Sequence, residues 1–228
     1  MRKYDIFLFD ADGTFLDYDM AKANALRITF ENCGLDYSQD TRMKYREINE
    51  QMRGYCDKGG RTKKELQMSR FRRLFSENGI NYDEKDATEL YYDELGKGSF
   101  LLDGALEICK EINSCNKKIY IVTNGIFAVQ KARIEGSLIR EYISDVFVSE
   151  FIGFRKPHIS YFDYVFSHIP LVKKDSVLLI GNTIPTDIAG GNNAGIDTCW
   201  LNGAGNLNET EIIPTYEIKK LDELERFI

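Results

Sequence analysis

An α/β fold is predicted: a doubly wound parallel sheet with an all-helical segment inserted after the first strand. Three features of the 228-residue chain point to it. Short apolar runs alternate with helical patterns along most of the length. The runs are nearly continuous rather than alternating, which is how strands buried on both faces of a parallel sheet read. The stretch between residues 18 and 100 is different, with helical periodicity and no convincing strand.

Taken in order, Tyr4–Phe9 is expected to be the first strand, and it runs into acids at Asp10 and Asp12. Four helices are then expected near 20–33, 39–56, 62–78 and 83–95. Turn signals separate them at Cys33-Gly34, Lys58-Gly59-Gly60 and Asn78-Gly79. Thr62 and Glu65 have the spacing of a capping box for the third helix. After residue 100 the expected order is helix 104–114, strand 118–123, helix 127–135 and strand 145–149. Helix 159–167, strand 176–180, helix 185–194 and strand 198–201 follow, with a C-terminal helix over 221–227 closing the sheet edge. The domain division expected is 1–17 with 100–228 as the α/β core, and 18–99 as a helical cap.

Apolar residues make up 43% of the chain and charged residues 29%, ordinary for a soluble globular protein. No apolar run approaches the roughly 18 residues of a membrane span. The N-terminal region lacks the long apolar core and cleavage site of a signal peptide, so a cytoplasmic protein without membrane attachment is expected. Cys33, Cys56, Cys109, Cys115 and Cys199 are scattered, odd in number and without a C-x-x-C pair. Buried free thiols are expected, not a zinc site or a disulfide frame. The net charge of -6 argues against a nucleic acid polymer, whose binding rests on basic surface. A small phosphorylated substrate needs only a few local cations and remains compatible. Oligomeric state is left open.

In a doubly wound sheet the ligand site lies outside the carboxyl ends of the strands, at the switch point. The residues following the strands there are Asp10 and Asp12, then Thr123-Asn124-Gly125, Lys156, Asn182 and Asp187. Such a set suits phosphoryl transfer, which needs an in-line nucleophile, an acid for the leaving oxygen and cations against the transferred charge. Asp10 can attack phosphorus, and Asp12 can protonate the leaving alkoxide and later take a proton from water. Gly13 permits the turn, and Thr14 can bond back to the loop. The Thr123 hydroxyl and the N–H groups of Asn124 and Gly125, opening a helix, can hold phosphate. Lys156, before Pro157, can balance charge. Clustered carboxylates facing a phosphate call for Mg2+, with Asp187 a ligand directly or through water. Each feature has a plainer alternative: a strand-ending turn with two solvated acids, a cap in a βα loop, a surface lysine, a first-turn helix acid.

The run Phe9-Asp10-Ala11-Asp12-Gly13-Thr14 resembles the D-x-D-G-T signature of the haloacid dehalogenase (HAD) superfamily. Ile121–Gly125 resembles its second motif, Arg155-Lys156-Pro157 its third, and Leu178–Asp187 its fourth, all in family order. The resemblance implies Asp10 as nucleophile, Asp12 as acid/base, and Thr123 and Lys156 on the phosphate. It also implies Mg2+ held by Asp10, the Asp12 backbone carbonyl and the fourth motif. The helical insert sits where subfamily I members carry a cap. Asn49 to Phe71, Gly153–Pro157 and Gly191–Trp200 resemble a narrower branch, the YjjG/YfnB-like pyrimidine 5′-nucleotidases, with Tyr55 a candidate for stacking on the base. Two positions depart from pattern. Asn182 stands where the fourth motif usually has a metal-binding aspartate, and Arg53 where the branch often has tryptophan.

The leading expectation is therefore an Mg2+-dependent 5′-nucleotidase. A phosphatase or phosphomutase for a small sugar phosphate or phosphoglycolate uses the same core. A third reading, motivated by Asn182, is a degenerate member that binds a nucleotide or partner without turnover.

Overall fold

The structure, a computed structural model, describes residues 3–52 and 62–228. It divides into two compact units, Met1–Tyr18 with Ser99–Ile228, and Asp19–Gly98.

The first unit is built on a six-stranded sheet in the order β3-β2-β1-β4-β5-β6, with every neighbouring pair parallel. The strands are β1 (Ile6–Phe9), β2 (Lys118–Thr123), β3 (Ile143–Val148), β4 (Val177–Gly181), β5 (Asp197–Leu201) and β6 (Tyr216–Ile218). The chain leaves β1 to build β2 and β3 on one side, then returns to build β4 to β6 on the other. β1 is thus the switch point, and the doubly wound expectation is met.

Successive side chains of a strand point to opposite faces. Phe7 and Phe9 of β1 join Ile119, Ile121, Leu178 and Ile180 in one core layer, while Ile6 and Leu8 join Tyr120, Val122 and Leu179 in the other. Helix α5 (Ala105–Ser114) covers the first layer with Ala105, Ile108, Cys109 and Ile112, the spacing of a single helical face. Leu221, Leu224 and Phe227 of the C-terminal 3-10 segment pack there too. On the other layer α8 (Ile159–Ser167), which follows the single-turn α7 (Ser149–Ile152), buries Tyr161, Phe162 and Val165. Gly191 of α9 (Ala189–Ala194) allows close helix–sheet contact: a Cβ there would lie 2.3 Å from Thr198 Cγ2.

Several elements differ from expectation. β3 begins at Ile143, because an edge strand tolerates the exposed Ser144 and Asp145. β6 was not expected: three residues are too short to read as a run, and only pairing with β5 makes them a strand. The helix expected over 185–194 divides into a π-helical turn, Ile184–Ile188, and α9.

The second unit holds α1 (Tyr18–Asn32), α2 (Gln39–Met52), α3 (Lys63–Asn78) and α4 (Glu84–Lys97), of which α1 starts one residue before the boundary. The capping box forms as the spacing predicts. Thr62 Oγ1 accepts from the Glu65 N–H, and Glu65 Oε2 accepts from the Thr62 N–H at 2.7 Å. Such caps contribute about 1 kcal/mol. Phe30, Tyr45, Phe71 and Tyr91 form a chain of ring contacts with centroids 5.6 to 6.0 Å apart. The Gln67 amide donates to Tyr45 Oη at 2.6 Å, which satisfies both buried polar groups.

Cys33, Cys109 and Cys199 are buried free thiols as expected, whereas Cys115 is exposed. Among the described residues no helix is long and apolar enough to cross a membrane.

Candidate active site

At the carboxyl end of β1 the Asp10 N–H still pairs with Ile180 O, so its carboxyl group is held at the strand tip. The loop then folds back, with the Phe15 and Leu16 N–H groups donating to Ala11 O. Gly13 takes φ 77°, a conformation that favours glycine. A Cβ at Gly13 would lie 2.2 Å from the Asn182 side-chain nitrogen, so the amide is seated directly against this loop. The Thr14 hydroxyl, expected to bond back to the loop, is buried without a hydrogen-bond partner among the described residues.

Lys156 is the hub. Its ammonium donates to Asp10 Oδ1 at 2.8 Å, Asp187 Oδ1 at 2.7 Å and Val122 O at 2.7 Å, which uses all three of its hydrogens. Lys156 is 2% exposed. Burial alone lowers an ammonium pKa, but the charges of Asp10 and Asp187 outweigh it and hold Lys156 above its usual range. Asp10 moves up from 3.8 to about 7: burial raises it most, Lys156 opposes, and Asp187 and Asp12 raise it further.

Three loops converge to make this possible. Asn124, from the loop after β2, clasps the Lys156 backbone: its Nδ2 donates to Lys156 O and its Oδ1 accepts from Lys156 N, both at 3.0 Å. Asp187, 1% exposed, sits in the π-helical turn after β4, and its Oδ2 accepts from the Thr183 N–H at 3.0 Å. Gly181 leaves room for it, since a Cβ there would meet the Asp187 carboxyl at 2.4 Å. Lys156 precedes a cis peptide bond to Pro157, and α8 starts two residues after the proline, at the expected Ile159, with His158 as N-cap.

Thr123 is 1% exposed at the end of β2. Its Oγ1 accepts from the Gly125 N–H at 3.1 Å and from Gln130 Nε2 at 3.0 Å. The Gly125 N–H expected to face a ligand therefore supports Thr123 instead. Nor do Asn124 and Gly125 open the helix: α6 (Phe127–Glu135) begins after Ile126, and Glu150 Oε2 takes its Phe127 N–H at 2.6 Å.

Asp12 lies in the same loop as Asp10, and its carboxylate is held by two α6 residues the sequence reading did not single out. Arg133 Nη1 donates to Oδ1, and Gln130 Nε2 to Oδ2 at 2.7 Å. An ordinary amphipathic pattern hid them, although Gln and Arg on the inward face of a sheet-covering helix are the signal that could have found them.

Asn182 is exposed after β4. Its Oδ1 accepts from Thr183 Oγ1 at 3.1 Å, and its backbone oxygen accepts from Trp200 Nε1 at 3.1 Å. Among the described residues no three His, Cys, Asp or Glu side chains group closely enough to hold a metal by themselves. Any ion here has to draw on backbone or amide oxygens as well. The expected cap contact Tyr55, and the variant position Arg53, lie outside the described residues.

Similarity to known proteins follows the same motifs. The chain is 39% identical over 224 residues to the HAD-hydrolase YfnB of Bacillus subtilis, covering 98% of this chain and 95% of that protein. The crystal structure of YfnB bound to magnesium superposes with a TM-score of 0.87, covering 99% of this chain and 98% of that one. The pyrimidine 5′-nucleotidase PynA of Streptococcus pneumoniae is 33% identical over 221 residues, covering 97% and 93% of the two chains. The pyrimidine 5′-nucleotidase YjjG of Escherichia coli is 30% identical over 226 residues, covering 99% and 98%. The family model for haloacid dehalogenase-like hydrolases matches residues 7–201, a span that contains every site residue described above. With that match and these relatives, the chain belongs to the haloacid dehalogenase-like hydrolase family, and it is an enzyme of that family.

Proposed function

We propose that the protein is an Mg2+-dependent phosphomonoesterase that forms a phosphoryl-enzyme on Asp10 and acts on pyrimidine nucleoside monophosphates. The observation that carries the reaction is the buried Asp10–Lys156–Asp187 contact at the switch point of the sheet. Lys156 occupies Asp10 Oδ1, and among the described residues no donor reaches Oδ2, which is left as the attacking oxygen. In the first step Oδ2 bonds to phosphorus, the ester P–O bond breaks, and Asp12 gives its proton to the leaving alkoxide. In the second, water attacks phosphorus, Asp12 takes its proton, and the acyl-phosphate bond breaks to restore Asp10. Lys156 offsets charge on Asp10, and Asp187 holds Lys156 in place. The Thr123 hydroxyl donates to a phosphate oxygen.

The donor set fits a hard divalent cation. Asp10, Asp12 and Asp187 face Lys156 and Arg133, which leaves the carboxylates in excess. Burial and the neighbouring acids raise Asp10 to about 7, as expected where cationic compensation is incomplete. The Asp10 carboxylate, the Asp12 backbone carbonyl and the Asn182 amide oxygen would hold Mg2+, with Asp187 behind Lys156. When bound, the ion supplies positive charge to the phosphoryl oxygens.

The names of PynA and YjjG support the substrate class. Phosphate release from UMP, dUMP and dTMP with Mg2+ is expected to exceed release from sugar phosphates. A flat profile or a preference for a sugar phosphate overturns the substrate. Asp10→Asn is expected to abolish turnover, and Asp12→Asn to slow it roughly 10²- to 10⁴-fold. Absence of Mg2+-dependent phosphate release from the wild type overturns the phosphatase reading in favour of binding without turnover, and release unaffected by Asp10→Asn overturns Asp10 as the nucleophile.

A further inference from the structure

We propose that Gln130 and Arg133 are positioning residues of the reaction. Together they clamp the Asp12 carboxylate in its proton-exchange position and fix the Thr123 hydroxyl as a donor. This rests on Asp12 being the acid/base.

The two residues are three apart on α6 and so share one helical face. That face points into the protein: Gln130 is 1% and Arg133 0% exposed. Buried polar groups are generally hydrogen-bonded, and the Gln130 amide is the case in point. Every hydrogen-bonding atom of the Gln130 amide is used. Nε2 donates one hydrogen to Asp12 Oδ2 at 2.7 Å and the other to Thr123 Oγ1 at 3.0 Å, while Oε1 accepts from Arg133 Nη1 at 3.4 Å. Arg133 Nη1 closes the ring on Asp12 Oδ1. The guanidinium is fixed further by the Tyr18 ring, 5.7 Å from its centroid. The loop is shaped around this amide, for a Cβ on Gly125 would lie 2.3 Å from Gln130 Cγ and 2.4 Å from Nε2.

Two consequences follow from counting lone pairs. Thr123 Oγ1 has two, and Gly125 N–H and Gln130 Nε2 fill both, so the hydroxyl hydrogen is directed away from them as a donor. Each Asp12 oxygen accepts one clamp hydrogen and keeps its other lone pair for the proton exchanged with the ester oxygen or with water. The side chain is 29% exposed, so that lone pair has an open side. One amide thus sets the orientation of both the proton carrier and the phosphate donor.

A merely structural ion pair would hold the fold without favouring one substrate over another. A clamp acts on protonation of the leaving group, which matters far more for a poor leaving group than a good one. The test uses Mg2+-loaded full-length protein and two esters, p-nitrophenyl phosphate and phenyl phosphate. The ratio of their kcat/KM values in one sample reports the phosphorylation step alone, since hydrolysis of the phosphoryl-enzyme is common to both esters, and it is independent of the fraction folded. Asp12→Asn is expected to raise the ratio by roughly 10²-fold, and Arg133→Lys and Gln130→Met each by about tenfold or more. Arg133→Lys keeps the charge but not the planar fork. In an Asp12→Asn background neither substitution is expected to raise the ratio further. Gln130→Met is also expected to raise KM for both esters, through Thr123. The proposal is overturned if Asp12→Asn shifts the ratio while both clamp variants lose activity equally on the two esters. If Asp12→Asn itself leaves the ratio unchanged, the acid reading of Asp12 falls, and the clamp with it.

Discussion

Replacing Asp10 by asparagine is expected to stabilise the metal-free protein while destroying its activity. The Asp10 carboxyl is raised from 3.8 to about 7, chiefly by burial, even with Lys156 beside it. Keeping it ionised in the fold therefore costs about 4 kcal/mol, at roughly 1.4 kcal/mol per pH unit. Between those two values the native state holds a proton that the unfolded chain has released. Stability falls as pH rises through this window, and the full penalty is present above about 7. Asparagine has nearly the same shape and no charge to bury. In divalent-free buffer Asp10→Asn should exceed the wild type by up to about 4 kcal/mol at pH 8 and by about 2 kcal/mol at pH 5. Urea unfolding followed by Trp200 measures this, since the chain's single tryptophan lies in β5 of the α/β unit. Saturating Mg2+ should narrow the gap, because an ion on Asp10 stabilises only the wild type. A variant no more stable than wild type at pH 8, or a gap that does not change with pH, refutes the reasoning.

Lys156→Met leaves Asp10 and Asp187 buried without their cation and is expected to destabilise the protein by about 3–5 kcal/mol, read by the same unfolding assay. Asn182→Asp adds a charge to the proposed ion site and should tighten Mg2+ roughly tenfold by calorimetric titration. Unchanged affinity shows that position 182 is not a ligand. Gly191→Ala drives a Cβ to 2.3 Å from Thr198 Cγ2 and 3.1 Å from Leu179 Cδ2, and should cost about 1–3 kcal/mol in thermal unfolding without altering KM.

The core strands and most helices were legible because their signals are local. A strand buried on both faces must be apolar throughout, as Ile6–Phe9 and Val177–Gly181 are. A helix start needs an acceptor for its free N–H groups, which Thr62 and Glu65 announce by spacing alone. Edges were harder. Tyr216–Ile218 carries too little pattern to read as a strand, and β3 admits polar residues at its start because one flank is open.

The site divides in the same way. Asp10, Thr123, Lys156 and Asp187 could be picked out because each lies at or beyond the carboxyl end of a strand that is readable. Their division of labour could not. Only the fold brings Lys156 onto Asp187, turns the Asn124 side chain onto the Lys156 backbone, and uses the Gly125 N–H on Thr123.

The sequence alone thus determined which residues gather at the switch point, because strand order and strand ends are written in short-range periodicity. The tertiary structure decided which of them are charged against one another and which residues support them. Gln130 and Arg133 reach Asp12 across 118 and 121 positions of chain. No local pattern encodes such a contact, since its energy exists only once burial has removed water from both partners.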